Sequence, residues 1–75
     1  MKITGTNSYI RVEVGGKTVK ISGEMTSSGF IAYKDSICNW EMPYDNERIS
    51  DAQKQEIITK VIAKTKGSHM PILFE

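Results

Sequence analysis

The stretch that decides the fold is a run in which apolar and polar side chains alternate on either side of two glycines. It reads Ser8-Tyr9-Ile10-Arg11-Val12-Glu13-Val14-Gly15-Gly16-Lys17-Thr18-Val19-Lys20-Ile21. Such alternation is typical of half-buried β-strands, and a two-residue glycine turn joins two strands in a hairpin. The turn length sets the register, which places Val12 opposite Val19 and Ile10 opposite Ile21. The stretch therefore predicts a hairpin with one apolar face.

The polar face of this hairpin contains an unfavourable pair. The same register places Arg11 directly opposite Lys20, where like charges repel each other. We expect Glu13, which lies diagonal to Lys20, and solvent screening to compensate. A site for an anion or an acidic partner is the alternative interpretation, with the two bases at the rim of the contact.

Two further elements follow the hairpin. The strand-favouring run at 30–34 predicts a third strand, antiparallel to the second. Ser50 and Gln53 have the spacing of a capping box, which predicts a helix over 51–66. The apolar stripe of that helix repeats every three or four residues and comprises Ile57, Ile58, Val61 and Ile62.

The tail completes the predicted architecture. Residues 70–75 are apolar enough for a short last strand, with Pro71 confined to its start or to a sheet edge. The element order is then β-β-β-α-β in a single domain over 1–75. We expect an α+β fold, in which one helix packs on one face of a small antiparallel sheet.

Charge, cysteine content and hydropathy exclude several classes of protein. The net charge is +1, but residues 35–51 contain five acids and one base. The lone Cys38 excludes an internal disulfide, and no Cys/His spacing predicts a metal site. No apolar run reaches the roughly 18 residues of a membrane span, and the N-terminus lacks signal-peptide order. We expect a cytoplasmic protein without a cofactor or a membrane partner.

Residues 36–49 form a long predicted loop that concentrates aromatic and acidic side chains. Loops of this length in compact domains usually have a function. Aromatic residues and methionine are enriched at interface centres, and the acids around them suit a basic partner. The sole Trp of a small chain often closes the core instead, so burial of that side chain is the alternative. The predicted partner-binding residues are Trp40, Glu41, Tyr44, Asp45 and Glu47.

The residues that could perform catalysis are isolated from one another. His69 is the only histidine and lies between helix and strand, where solvent exposure or capping of the helix accounts for it. Cys38 has no basic neighbour in sequence, so we expect a passive thiol that is buried or half-buried. The acids of the loop lack the glycine and the closing glutamate of a calcium site. We predict no catalytic residue and no metal ligand.

One pattern extends over most of the chain, from the first hairpin to Phe74. Its members are Gly29-Phe30-Ile31-Ala32-Tyr33-Lys34, Ser36-Ile37, Asn39-Trp40-Glu41, Pro43-Tyr44, Glu47, Ile49 and Lys54-Gln55-Glu56-Ile57-Ile58. This order resembles the small bacterial immunity proteins of polymorphic-toxin and contact-dependent growth inhibition systems, and in particular immunity-protein family 74. The resemblance implies a cytosolic α+β inhibitor that binds and blocks a cognate toxin domain.

The resemblance also suggests a class of toxin. Many toxins of this kind are nucleases with a basic substrate cleft, which an acidic loop would cover. The alternative function is a small regulatory or nucleic-acid-binding module that uses the polar hairpin face of Tyr9, Arg11 and Lys20. The acidic loop disfavours nucleic acid as a partner, because it would repel phosphate. The oligomeric state stays open.

Overall fold

A computed structural model describes residues 1–75 and contains one mixed five-stranded sheet, a short 3-10 turn at Lys34–Ser36 and one α-helix. The strands are adjacent in chain order, so the sheet order is β1-β2-β3-β4-β5. The element bounds are β1 Lys2–Gly5, β2 Tyr9–Val14, β3 Lys17–Thr26, β4 Gly29–Ala32, α1 Asp51–Thr65 and β5 Ile72–Phe74.

The predicted hairpin is confirmed as β2 and β3, with Val12 paired to Val19 and Ile10 to Ile21. Gly15 and Gly16 both have positive φ, 58° and 83°, as a tight hairpin turn requires. All four paired side chains are buried. The short turn and the apolar alternation therefore specify the same register.

The sheet is larger than the sequence analysis predicted. A first strand, β1, pairs antiparallel with β2 and was missed, because its four residues show no alternation strong enough to identify it. The second hairpin strand continues to Thr26, where it pairs with β4. The third predicted strand is β4, which ends at Ala32, because the chain turns at Lys34–Ser36.

The last strand pairs in the direction opposite to the expectation. β5 runs parallel to β4, with Phe30 beside Ile72 and Ala32 beside Phe74. A helical crossover between neighbouring strands returns the chain in the same direction, whereas a tight turn reverses it. The α+β class and the helix on the sheet are confirmed, but the sheet is mixed and mostly antiparallel.

Helix α1 begins at the predicted capping box. Gln53 N donates to Ser50 Oγ over 3.2 Å, and Ser50 N donates to Gln53 Oε1 over 3.0 Å. Ile57 and Val61 pack into the core. Ile58 is half-buried and packs against this core, whereas Ile62 is 40% exposed.

The core lies between the helix and the inner face of the sheet. No polar or charged residue is buried in it. Its twelve members are Ile10, Val12, Val19, Ile21, Phe30, Ala32, Ile37, Trp40, Ile49, Ile57, Val61 and Ile72. Three of these, Ile37, Trp40 and Ile49, come from the long connection before the helix, so that connection is part of the folded unit.

Candidate functional site

The connection at 37–49, called here the 37–49 loop, is closed by contacts at its base. Ile49 N donates to the carbonyl oxygen of Cys38 over 2.8 Å, and Trp40 N donates to that of Glu47 over 3.4 Å. Asn39 and Arg48 form an isolated antiparallel bridge between these two bonds. The loop therefore has a buried base and a tip that projects from it.

The loop attaches to the sheet through main chain. Glu41 N donates to the carbonyl oxygen of Thr18 over 2.7 Å. Thr18 lies in the first half of β3, and β4 pairs only with the second half, at Gly23–Thr26. The loop thus covers a strand edge that would otherwise be open.

The Glu41 side chain reaches the polar face of the hairpin. Its Oε1 lies 2.9 Å from Arg11 Nε, and both side chains remain partly exposed, at 34% and 46%. The hydrogen bond and the negative charge of Glu41 raise the pKa of Arg11 above its usual range. This ion pair joins the loop to the hairpin face.

The like-charged pair on the hairpin is compensated differently from the prediction. Arg11 Cζ and Lys20 Nζ lie 5.2 Å and 4.5 Å from the centroid of the Tyr9 ring, within range of cation-π attraction. Lys20 forms no ion pair within 4.0 Å, with Glu13 or with any other acid. The stabilising groups are therefore Glu41 and the ring of Tyr9.

A second ion pair holds the other side of the loop. Lys17 Nζ lies 2.5 Å from Glu47 Oε1. The same ammonium group lies 5.0 Å from the ring centroid of Tyr44 and 5.9 Å from that of Trp40. Since Lys17 begins β3 directly after the glycine turn, the hairpin end and the loop form one surface.

These pairs change the charge of the loop from what its composition suggests. Two of its three acids, Glu41 and Glu47, have a basic partner elsewhere in the chain. Of the two acids that flank the loop, Asp35 lies 4.0 Å from Lys54. Asp51 occupies the first turn of α1, where the helix dipole favours it. Only Asp45 is an acid of the loop tip without a basic partner, so the surface has mixed charge rather than acidic character.

The exposed tip places apolar groups next to Asp45. Met42 is 81% exposed, more than any other large apolar residue of the protein, and Tyr44 is 37% exposed. Asn39 Nδ2 donates to the carbonyl oxygen of Asp45 over 3.3 Å, which fixes the backbone there. Met42 has the residue type that is enriched at interface centres but is absent from the five predicted binding residues.

The predicted site residues fall into two groups. Trp40 is only 6% exposed and belongs to the core, whereas Glu41, Tyr44, Asp45 and Glu47 lie at or near the surface.

Two residues considered for catalysis are both on the surface. His69 is exposed, as expected. The prediction for Cys38 was wrong, because this thiol is exposed and donates to the carbonyl oxygen of Asp35 over 3.4 Å. The hydrogen bond to Asp35, in the 3-10 turn, keeps the Cys38 side chain outside the core. The apolar character of cysteine alone does not predict this exposure.

A family comparison identifies the chain. The family model of immunity protein 74 matches residues 2–75, nearly its entire length. The chain belongs to the immunity protein 74 family. Comparison with curated proteins and with solved structures gave no match. The family assignment confirms the resemblance found in the sequence and makes this chain an immunity protein, a class whose members have a toxin as partner.

The rest of this immunity protein offers neither a membrane-spanning helix nor a metal site. The helix is neither long nor apolar enough to cross a membrane. No three His, Cys, Asp or Glu side chains are grouped as a metal site would need. A cavity of about 490 Å³ lies between β1, the end of α1 and β5, and Lys64 is the one charged side chain in its lining. The 37–49 loop combines exposed apolar and charged groups in one surface.

Proposed function

We propose that this immunity protein neutralises a cognate toxin domain by binding it with the tip of the 37–49 loop and the adjoining hairpin face. The central contact is made by Met42 and Tyr44, with Asp45 beside them. The observation that carries this proposal is the 81% exposure of Met42 on a loop whose base is buried. A large apolar side chain gains most by leaving water when a partner covers it.

The loop is organised before a partner arrives, which favours tight binding. Its base is held by main-chain hydrogen bonds and by three core residues, and its sides by the Arg11–Glu41 and Lys17–Glu47 ion pairs. Little backbone freedom is left to lose on association, so less of the contact energy is offset by ordering. The two ion pairs lie at the rim, where charges contribute mainly to specificity and to the rate of encounter.

The toxin class expected from the family resemblance is a nuclease, and both proteins would meet in the cytoplasm. Internal ion pairs leave Asp45 as the unpaired carboxylate at the tip. We therefore assign the anchoring role to the apolar side chains and a steering role to Asp45, next to the basic cleft or on a nearby surface of the toxin. In this role the protein acts as an inhibitor and performs no reaction of its own.

In the alternative function, nucleic acid would bind to the polar face of the hairpin. There the guanidinium of Arg11 is engaged by Glu41, and a carboxylate lies where a phosphate would approach. Phosphate contacts would also make binding fall steeply with salt. The engagement of Arg11 by Glu41 favours a protein partner over nucleic acid for this surface, and measured salt dependence would distinguish the two.

The test is titration calorimetry of the protein against the toxin domain encoded beside it, together with growth rescue by the same pair. One-to-one binding with rescue is the expected result. Met42→Lys should weaken both, and Thr59→Lys, an exposed helix position outside the loop, is the matched control. Absence of heat and of rescue with two folded proteins would refute the proposal.

A further inference from the structure

A second exposed apolar surface lies at the edge of the sheet formed by β5, next to α1. The groove between them has a volume of about 510 Å³. Leu73 is 59% exposed and Ile62 is 40% exposed, while Ile58 and Phe74 are half-buried beside them. The groove includes Ile62, the one member of the helical stripe that the core leaves exposed.

The edge of β5 also has free main-chain groups. Phe30 N donates to the carbonyl oxygen of Pro71, and Lys34 N donates to that of Glu75. The carbonyl groups of Pro71 and Glu75 therefore point toward the neighbouring segment. Because hydrogen-bonding direction alternates along a strand, the N–H and C=O of Phe74 point away from β4. Ile72 N also points outward, but Thr65 Oγ1 accepts its hydrogen over 3.2 Å. Phe74 is therefore the position at which another strand can pair.

We propose that a second copy of this chain occupies this edge, with β5 pairing antiparallel to β5 of the partner about a two-fold axis through Phe74. A residue with a free donor and a free acceptor pairs with its own symmetry mate, and both hydrogen bonds then form at once. The outcome is one continuous sheet of ten strands from two five-stranded sheets. Ile62 on the helix side and Leu73 on the other face of β5 then both lie next to the partner strand.

The charges around the groove fit a self-complementary contact. Its lining contains one base and one acid, Lys34 and Glu75, and neither forms an ion pair within 4.0 Å. Two copies therefore meet without net repulsion between like charges. A standard interface buries about 800 Å² per partner, which is roughly a sixth of this chain's 4934 Å² surface.

Sedimentation equilibrium of the full chain tests the dimer. The mass should rise from 8.4 kDa toward twice that value between about 1 µM and 300 µM, the range of a weak dimer. Leu73→Lys should raise the dissociation constant at least about tenfold, since it places a charge at the centre of the contact. Ile62→Glu is a second variant at an exposed position, in case the first one does not fold. Met42→Lys, an equivalent change on the other surface, should leave the mass unchanged.

Three results would overturn the dimer. They are a wild type that stays monomeric throughout, groove variants that stay dimeric, and a Met42→Lys protein that is monomeric. Hydrogen exchange gives a second measurement of the dimer. The Phe74 amide should become more protected from exchange as the protein concentration rises. The dimer and the toxin contact use different surfaces, so Leu73→Lys should still bind toxin. The failure of one proposal thus leaves the other measurable.

Discussion

Arg11 Nε and Glu41 Oε1 lie 2.9 Å apart although thirty positions of sequence separate the two residues. This contact unites two surfaces that the sequence analysis treated as alternatives, the polar hairpin face and the acidic loop. Tyr9 and Lys20 lie beside this ion pair, because Arg11 and Lys20 both contact the Tyr9 ring. The surface that we propose for binding is therefore built by the hairpin and the loop together.

Charge reversal should separate the structural acids of the loop from the free one. Glu41→Lys places a third positive charge beside Arg11 and Lys20, so the thermal unfolding midpoint should fall. Asp45→Lys should leave the midpoint nearly unchanged, because Asp45 has no basic partner. The double variant Arg11→Glu with Glu41→Arg should recover part of the loss. Equal midpoints for the two single variants would contradict the role of the ion pair.

Replacing Met42 should affect binding and leave the fold intact. Met42→Lys should weaken toxin binding by about 2 kcal/mol, or roughly thirtyfold, because a central apolar contact is replaced by a charge. Unfolding in denaturant should change by less than about 0.5 kcal/mol, since the side chain is 81% exposed. A variant that binds as well as the wild type would remove Met42 from the interface.

Replacing Trp40, unlike replacing Met42, should mainly lower the stability of the fold. Trp40→Ala should lower the free energy of unfolding by about 3–5 kcal/mol, because a buried aromatic side chain is lost from the core. Circular dichroism must follow the transition, since no other Trp remains. Tyr44→Ala, at a partly exposed position of the same loop, is the control and should cost about 1 kcal/mol or less. Similar values for the two variants would argue against a core role for Trp40.

Gly23 should tolerate no side chain. A Cβ at this position in β3 would lie within 3.0 Å of both Ile31 O and the Phe30 ring. Gly23→Ala should therefore destabilise the protein by about 2 kcal/mol or more, through displacement of a fully buried aromatic ring. Ser22→Ala, at the exposed neighbouring position, should change stability by less than about 0.5 kcal/mol. Denaturation in urea measures both.

Tyr33 should titrate above its usual range. Its hydroxyl donates to Glu24 Oε2 over 3.2 Å, and this bond and the charge of Glu24 raise the pKa of Tyr33 above 10.0. A raised pKa in the folded state stabilises the fold below pH 10, and the contribution is lost as pH rises through that pKa. The midpoint of wild type should therefore fall more steeply above pH 10 than that of Tyr33→Phe. With Glu24→Gln, ultraviolet absorbance should show Tyr33 ionising at a lower pH.

Local signals in the sequence predicted the parts of the fold that depend on neighbouring residues. The hairpin register follows from alternation around Gly15-Gly16, and the helix start follows from Ser50 and Gln53. The parallel pairing of β5 depends on the path of the chain after the helix, so a three-residue strand pattern did not contain it. Strand β1 was missed for a related reason, because pairing with β2 stabilises it more than its own residues do.

In the candidate site, too, local sequence did not predict contacts between residues that are distant in the chain. Composition indicated the loop and its aromatic and acidic content, and four of the five predicted residues lie at the surface. It did not show that Arg11 and Lys17 neutralise Glu41 and Glu47, because both contacts span thirty positions. Exposure of Met42 and burial of Trp40 likewise depend on which loop side chains turn toward the sheet.

The division of the 37–49 loop into a buried base and an exposed tip has an evolutionary consequence. Ile37, Trp40 and Ile49 hold the loop in place, whereas Met42, Tyr44 and Asp45 contribute little to folding. Substitutions at those three positions can therefore accumulate with almost no loss of stability. Under the proposed function, a lineage of this protein can follow a diverging toxin by changing a few tip residues, while the residues beneath them stay the same.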